Sequence, residues 1–100
     1  MTNSQMKQMR RNAAEVSDFL RSLSNESRLL VLCALIEGEQ SVSELNAHVD
    51  LSPSALSQHL ASLRESGLVQ TRREAQTIYY RLADDRVIEV LALLKKLFCK

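Results

Sequence analysis

Cys33 and Cys99 are the side chains best equipped for chemistry in this sequence, since a thiolate can attack an oxidant, bind a soft metal or join a second sulfur. Two thiols are too few for a secreted disulfide scaffold, and in a cytosol they rest reduced. By its neighbours alone, Cys33 reads as a small apolar residue on the buried side of a helix and Cys99 as a residue of a chain end. His48 and His59 have no Cys or His at ligand spacing, so no metal site is expected. Ser57 and His59 stand two apart on a helix and diverge, while Asp84 and Asp85 suit a helix cap and its first turn. No catalytic constellation remains, so neither an enzyme nor a cofactor is expected. A different chemistry is on offer between residues 52 and 76: Ser52, Ser54, Ser57, Gln58 and His59, then Arg64, then Arg72, Arg73 and Gln76. Short hydroxyls and a glutamine amide can pair with base edges, and guanidinium groups with phosphates, which makes double-stranded DNA the expected partner.

The elements that would carry these groups follow from spacing. Met6, Met9, Ala13, Val16, Leu20 and Leu23 recur at intervals of three and four, one long amphipathic helix with a seam for a partner helix, after a start at 1–4 expected to be disordered. Asn25 and its neighbour Ser24 can cap a second helix from Glu26 to about Glu37, with Leu29, Leu32, Cys33 and Ile36 on one face and Gly38 as its stop. Ser41-Val42-Ser43-Glu44 is a capping box and opens a short third helix to about Val49. Pro53 holds Ser52 extended and itself suits a first helical position, so Ser52 caps a fourth helix, at about 53–66, that Gly67 ends. The period then changes to two: Val69, Thr71 and Arg73, then Ile78, Tyr80 and Leu82, flank a polar tip, which predicts a β-hairpin at about 69–82. Asp84 caps a last helix whose Val87, Ile88, Val90, Leu91, Leu93, Leu94, Leu97 and Phe98 cover more than one face. So broad an apolar surface needs cover on two sides, which predicts a homodimer through the first and last helices.

Composition agrees with one small α-rich domain spanning 1–100. Of the 100 residues 45% are apolar and 25% charged, with Gly 2, Pro 1 and no Trp, too few turn residues for a many-stranded barrel. No apolar run is long enough for a membrane span and no signal peptide opens the chain, so the reading is cytoplasmic, without a membrane. A net charge of +1 hides a basic stretch, residues 51–82, where Arg64, Arg72, Arg73 and Arg81 outnumber Glu65 and Glu74. A capped helix pair followed by a hairpin is the order of a winged helix-turn-helix: mainly α with a β-hairpin wing, four helices, two strands and a last helix, the fourth helix entering the DNA major groove.

The run Leu51-Ser52-Pro53-Ser54-Ala55-Leu56-Ser57-Gln58-His59-Leu60, with Arg64, Gly67-Leu68-Val69 and Ile78-Tyr79-Tyr80-Arg81-Leu82, resembles the ArsR/SmtB family of bacterial repressors. The resemblance covers nearly the whole chain and implies a homodimer that leaves its operator when an inducer binds. Asp50 departs from the glycine that many members have in the turn, a place where Asp tolerates a left-handed backbone. The family's cysteine metal box falls on Ser41 and Ser43, poor ligands for soft metals, and its last-helix zinc site on Asp84, Arg86, Leu97 and Lys100, of which one could ligate. Cys33 and Cys99 match the two cysteines of the HlyU/BigR/SqrR-like dithiol subgroup. That match implies a redox-sensing pair, bridged within one protomer by reactive sulfur species (persulfide) or by peroxide as a polysulfide or a disulfide, and a repressor released by the bridge. A metal-responsive repressor and a winged-helix protein-interaction module are the alternatives.

Overall fold

The computed structural model describes residues 1–99, so Lys100 lies outside the described residues. The first helix, α1, runs Asn3–Leu23. It starts earlier than the sequence suggests, because Thr2 and Gln5 form a reciprocal capping box that ties residues 2–5 into the first turn. Helix α2, Glu26–Ala34, is capped by Asn25, whose side chain accepts from the Arg28 N–H. It stops three residues before Glu37, and the chain leaves through Gly38 at φ +147°, a value side-chain-bearing residues rarely adopt. A two-residue strand, β1 (Gln40–Ser41), leads into α3, Val42–His48. Ser41 and Glu44 satisfy each other's backbone N–H at 3.2 and 2.9 Å, and those bonds hold the Glu44 carboxyl below its ordinary range. Helix α4 spans Pro53–Glu65, with Ser52 as N-cap and Gly67 at φ +76° just beyond its end. Asp50 needs no left-handed backbone: among the described residues positive φ occurs at Gly38, Gly67 and Ala75 alone.

Strands β2 (Val69–Glu74) and β3 (Thr77–Leu82) form the hairpin, in register from Val69↔Leu82 to Glu74↔Thr77. Strand β1 adds to the other edge of β3 through Gln40↔Tyr80 and Ser41↔Tyr79, giving the sheet order β1-β3-β2. This third strand was not expected, since two residues are too short to show a period. The last helix, α5, runs Asp85–Phe98, capped by Asp84.

The core is aliphatic: Val31, Leu32 and Leu35 behind α2, Leu45 of α3, Leu56, Leu60 and Leu63 of α4, Val69 of the wing, and Val87 and Leu91 of α5. Around it α1 is an outlier. Of its 21 residues only Leu23 is buried, while Met6, Met9 and Leu20 are exposed. The molecule accordingly measures 52 × 31 × 21 Å, with a radius of gyration of 15.3 Å. A compact 100-residue domain would have about 13 Å. No described helix is long and apolar enough to cross a membrane.

Candidate nucleic-acid interface and thiol pair

Helix α4 buries Leu56, Leu60 and Leu63, so the helical period turns Ser54, Ser57 and Gln58 outward on one stripe, and all three are exposed. Exposed Ala61 belongs to the same stripe, three and four residues beyond Gln58 and Ser57, and its methyl is the kind of group that can meet a thymine methyl. The sequence reading passed over it because it sought polar donors. His59 stands about 100° round the helix from Gln58 and is half-buried. It shares the helix with the stripe but not its direction. The Ser52 hydroxyl accepts from the Ala55 N–H at 3.2 Å and lies 3.3 Å from the Ser54 hydroxyl, so its first task is to cap. Arg64 is exposed near the helix end and lines, with Ser57 and Tyr80, a cleft between α4 and the wing.

The wing separates its two arginines. Successive residues of a strand point to opposite faces, so Arg72 and Arg73 cannot do the same work. The Arg72 guanidinium is held at 2.6 Å by Glu39 and at 2.9 Å by Glu74, and it sits 4.5 Å over the ring of Tyr79, its register partner on β3. These two carboxylates raise its already high pKa and balance its charge. Arg73 is exposed and, among the described residues, has no ion-pair partner. Gln76 sits in the two-residue hairpin loop with Ala75, which adopts φ +56° in a place where glycine is usual. The clamp by Glu39 was not legible, because Glu39 comes 33 residues before Arg72 in the chain and meets it only through the fold.

Cys33 corrects the sequence reading. It is exposed, not on the buried side, because Val31, Leu32 and Leu35 take the core positions and turn residue 33 to the flank of α2. Residues 29–36 are apolar without interruption, so periodicity alone could not choose the inner face. On that flank Cys33 faces the end of α5, and Cys99, also exposed, lines the same cavity. Burial by the apolar surroundings first, and the neighbouring Cys99 second, push the Cys33 thiol up. Lys95 of α5 donates to Glu37, just beyond α2, at 2.7 Å and pins the two segments beside the thiols. Among the described residues no three Cys, His, Asp or Glu side chains converge as metal ligands would.

Residues 25–71, from the α2 cap to the middle of β2, match the family described as bacterial regulatory protein, arsR family. The transcriptional activator HlyU of Vibrio cholerae serotype O1 is 46% identical over 95 residues, spanning 95% of this chain and 88% of that protein. The chain belongs to the arsR family of bacterial regulators. The biofilm growth-associated repressor of Agrobacterium fabrum is 45% identical over 91 residues, 91% of this chain and 78% of that one. The solved structure of reduced HlyU from Vibrio cholerae N16961 superposes with a TM-score of 0.86 at 47% identity, covering 94% of this chain and 99% of that chain. This arsR-family chain is therefore a winged helix-turn-helix, DNA-binding transcriptional regulator and not an enzyme.

Proposed function

We propose that the chain is a homodimeric repressor whose operator affinity is lowered when reactive sulfur or oxygen species join Cys33 and Cys99 within one protomer. The observation that carries the reading is that the two cysteines, remote in sequence, line one cavity between α2 and α5. A bridge there would tie the helix behind the reading head to the helix of the expected dimer seam, and a changed dimer geometry would take two recognition helices out of step with successive major grooves. Repression is the simpler sense of regulation, since operator occupancy alone suffices. The test is fluorescence anisotropy with DNA from upstream of the protein's own gene, comparing reduced protein with protein treated with an organic persulfide or hydrogen peroxide. Tight binding that is lost on treatment and restored by a reductant is expected; affinity unchanged by both oxidants would end the proposal.

For DNA reading, Ser54, Ser57 and Gln58 would face base edges, with Ser52 and His59 flanking them, while Arg64, Arg73 and Gln76 would contact the backbone and Arg72 hold the wing in position. Gln58→Ala should then weaken binding to the operator by about 1–3 kcal/mol and barely change binding to random DNA. Equal losses on both would remove Gln58 from base reading. Arg73→Ala should weaken binding to every sequence and flatten the salt dependence by about one phosphate contact. Arg72→Ala should lower affinity with the salt slope nearly intact, because Glu39 and Glu74 already balance that charge. A salt titration of the two variants separates the roles; an Arg72→Ala slope flattened as much as that of Arg73→Ala would show that Arg72 contacts a phosphate and does not merely hold the wing.

A further inference from the structure

Two rungs join the exit of α2 to the end of α5. Cys33 and Cys99 line one cavity together with Glu37 and Lys95, and the Glu37 carboxylate accepts from Lys95 at 2.7 Å. Glu37 follows Cys33 by four residues and Cys99 follows Lys95 by four, so the thiols make one antiparallel rung and the ion pair the next. Two residues past Glu37, beyond Gly38 at φ +147°, comes Glu39, one carboxylate oxygen of which stands 2.6 Å from both Nε and Nη2 of Arg72. The short connection Glu37-Gly38-Glu39 therefore has one acid on α5 and the other on the wing.

The wing has few other ties at this edge. Strand β1 offers β3 two residue pairs, Gln40↔Tyr80 and Ser41↔Tyr79. Arg72 lies on the outer strand β2 opposite Tyr79, and its guanidinium passes over the Tyr79 ring to reach Glu39, so the pair clips all three strands together. The Glu39 side chain is 26% exposed against 67% for Glu74, which makes Glu39 the less screened of the two partners. The Gln40 side-chain amide also donates to the Ala34 carbonyl, so β1 hangs from the end of the helix that carries Cys33.

We propose, resting on the thiol-switch reading above, that the segment Glu37-Gly38-Glu39 carries the state of the thiols to the wing of the same protomer, with Glu39 as the residue that positions Arg72 and its strand for DNA. A bridge that resets the spacing of α2 and α5 at the first rung acts on Glu37 at the second. Glu39 then moves with it, and a shift of about 1 Å takes its oxygen out of hydrogen-bond range of Arg72. This route runs inside one protomer and works whether or not the dimer seam changes.

Hydrogen exchange tests it on the full-length protein without DNA, reduced and after an organic persulfide has bridged the thiols, as mass spectrometry verifies. In the wild-type protein, exchange of amides in 69–82 should rise about fivefold on bridging, the scale of one partly exposed ion pair, with the amides of α4 unchanged. Glu39→Gln keeps the size of the side chain and removes its charge. Its wing should exchange in the reduced state as fast as that of the bridged wild type, and bridging should add nothing. Glu39 lies outside the core, and circular dichroism checks the fold. Equal wing exchange in the reduced and bridged wild type would overturn the route and leave the thiol switch to act through the dimer. A reduced Glu39→Gln wing as slow as wild type, or a further fivefold rise on bridging, would remove Glu39 from it. Thiols that the persulfide does not bridge would overturn the thiol-switch reading and this proposal with it.

Discussion

Cys33→Ser should bind the operator as tightly as the reduced wild-type protein and should no longer release it after treatment with persulfide or peroxide. The wild-type protein should lose about two orders of magnitude in affinity on the same treatment, a coupling of about 2.7 kcal/mol between the bridge and the DNA. One covalent link can supply that much, because it needs only to favour one arrangement of α2 against α5 over another. Cys99→Ser should behave alike, since an oxidised sulfur with no second thiol cannot close the bridge. The approach to the bridge should also depend on pH in a defined sense. Burial and Cys99 push the Cys33 thiol up, so at neutral pH its reactive thiolate is scarcer than for an ordinary cysteine. Raising the pH through the ordinary thiol range and beyond should therefore keep accelerating modification of Cys33, where an unperturbed thiol would already have levelled off. Rapid alkylation of the Cys99→Ser variant would track Cys33 alone. That variant also removes the second, electrostatic cause of the shift, so its profile should move part of the way back. A Cys33→Ser protein that still leaves the operator on oxidation would refute the two-thiol switch.

What the sequence disclosed, and what it withheld, divides along the range of the interactions. Caps at Asn25, Ser41, Ser52 and Asp84, the Pro53 start and the change of period after Gly67 are local, and they locate α2 to α5 and the wing within a few residues. Helix α4 could be oriented as well, because polar Ser54, Ser57 and Gln58 alternate with Leu56, Leu60 and Leu63. Three features depend on residues far apart in the chain and were not legible: the pairing of β1 with β3, the Glu39 hold on Arg72, and the outward turn of Cys33. The last is the most instructive. A helix that is apolar all round hides its inner face, and only the packing of Val31, Leu32 and Leu35 decides it. The cysteine pairing itself came from likeness to a family and not from any spacing within the chain.

Leu93→Glu together with Leu97→Glu should convert the protein to a monomer and lower operator affinity by at least about a hundredfold. Both side chains are more than half exposed, at 54% and 52%, and both project from α5 on the side away from the thiol cavity. Exposed Met6, Met9 and Leu20 extend along α1, the helix that the single chain leaves almost bare. Arg86 links the two helices on this side: it pairs with Asp84 and Glu15 and lies 4.9 Å over the Phe19 ring, so α1 and α5 are held as one surface. An apolar surface of that kind, split over two helices, suits a second copy related by a two-fold axis, where each α1 and α5 meets its own kind. Two carboxylates placed in such a seam would be buried without partners and would face their own copies across the axis, a cost large enough to separate the protomers. A monomer can engage only one half-site, and the effective-concentration advantage of the second reading head, commonly 10²–10⁴, is then lost. Sedimentation at micromolar protein reads the association state, and anisotropy on the same samples reads the affinity. Glutamate is a good helix former and neither leucine belongs to the core, so the far-ultraviolet circular dichroism should stay close to wild type. A doubly substituted protein that still sediments as a dimer would place the seam elsewhere, and the bridge between α2 and α5 would then need another route to the DNA.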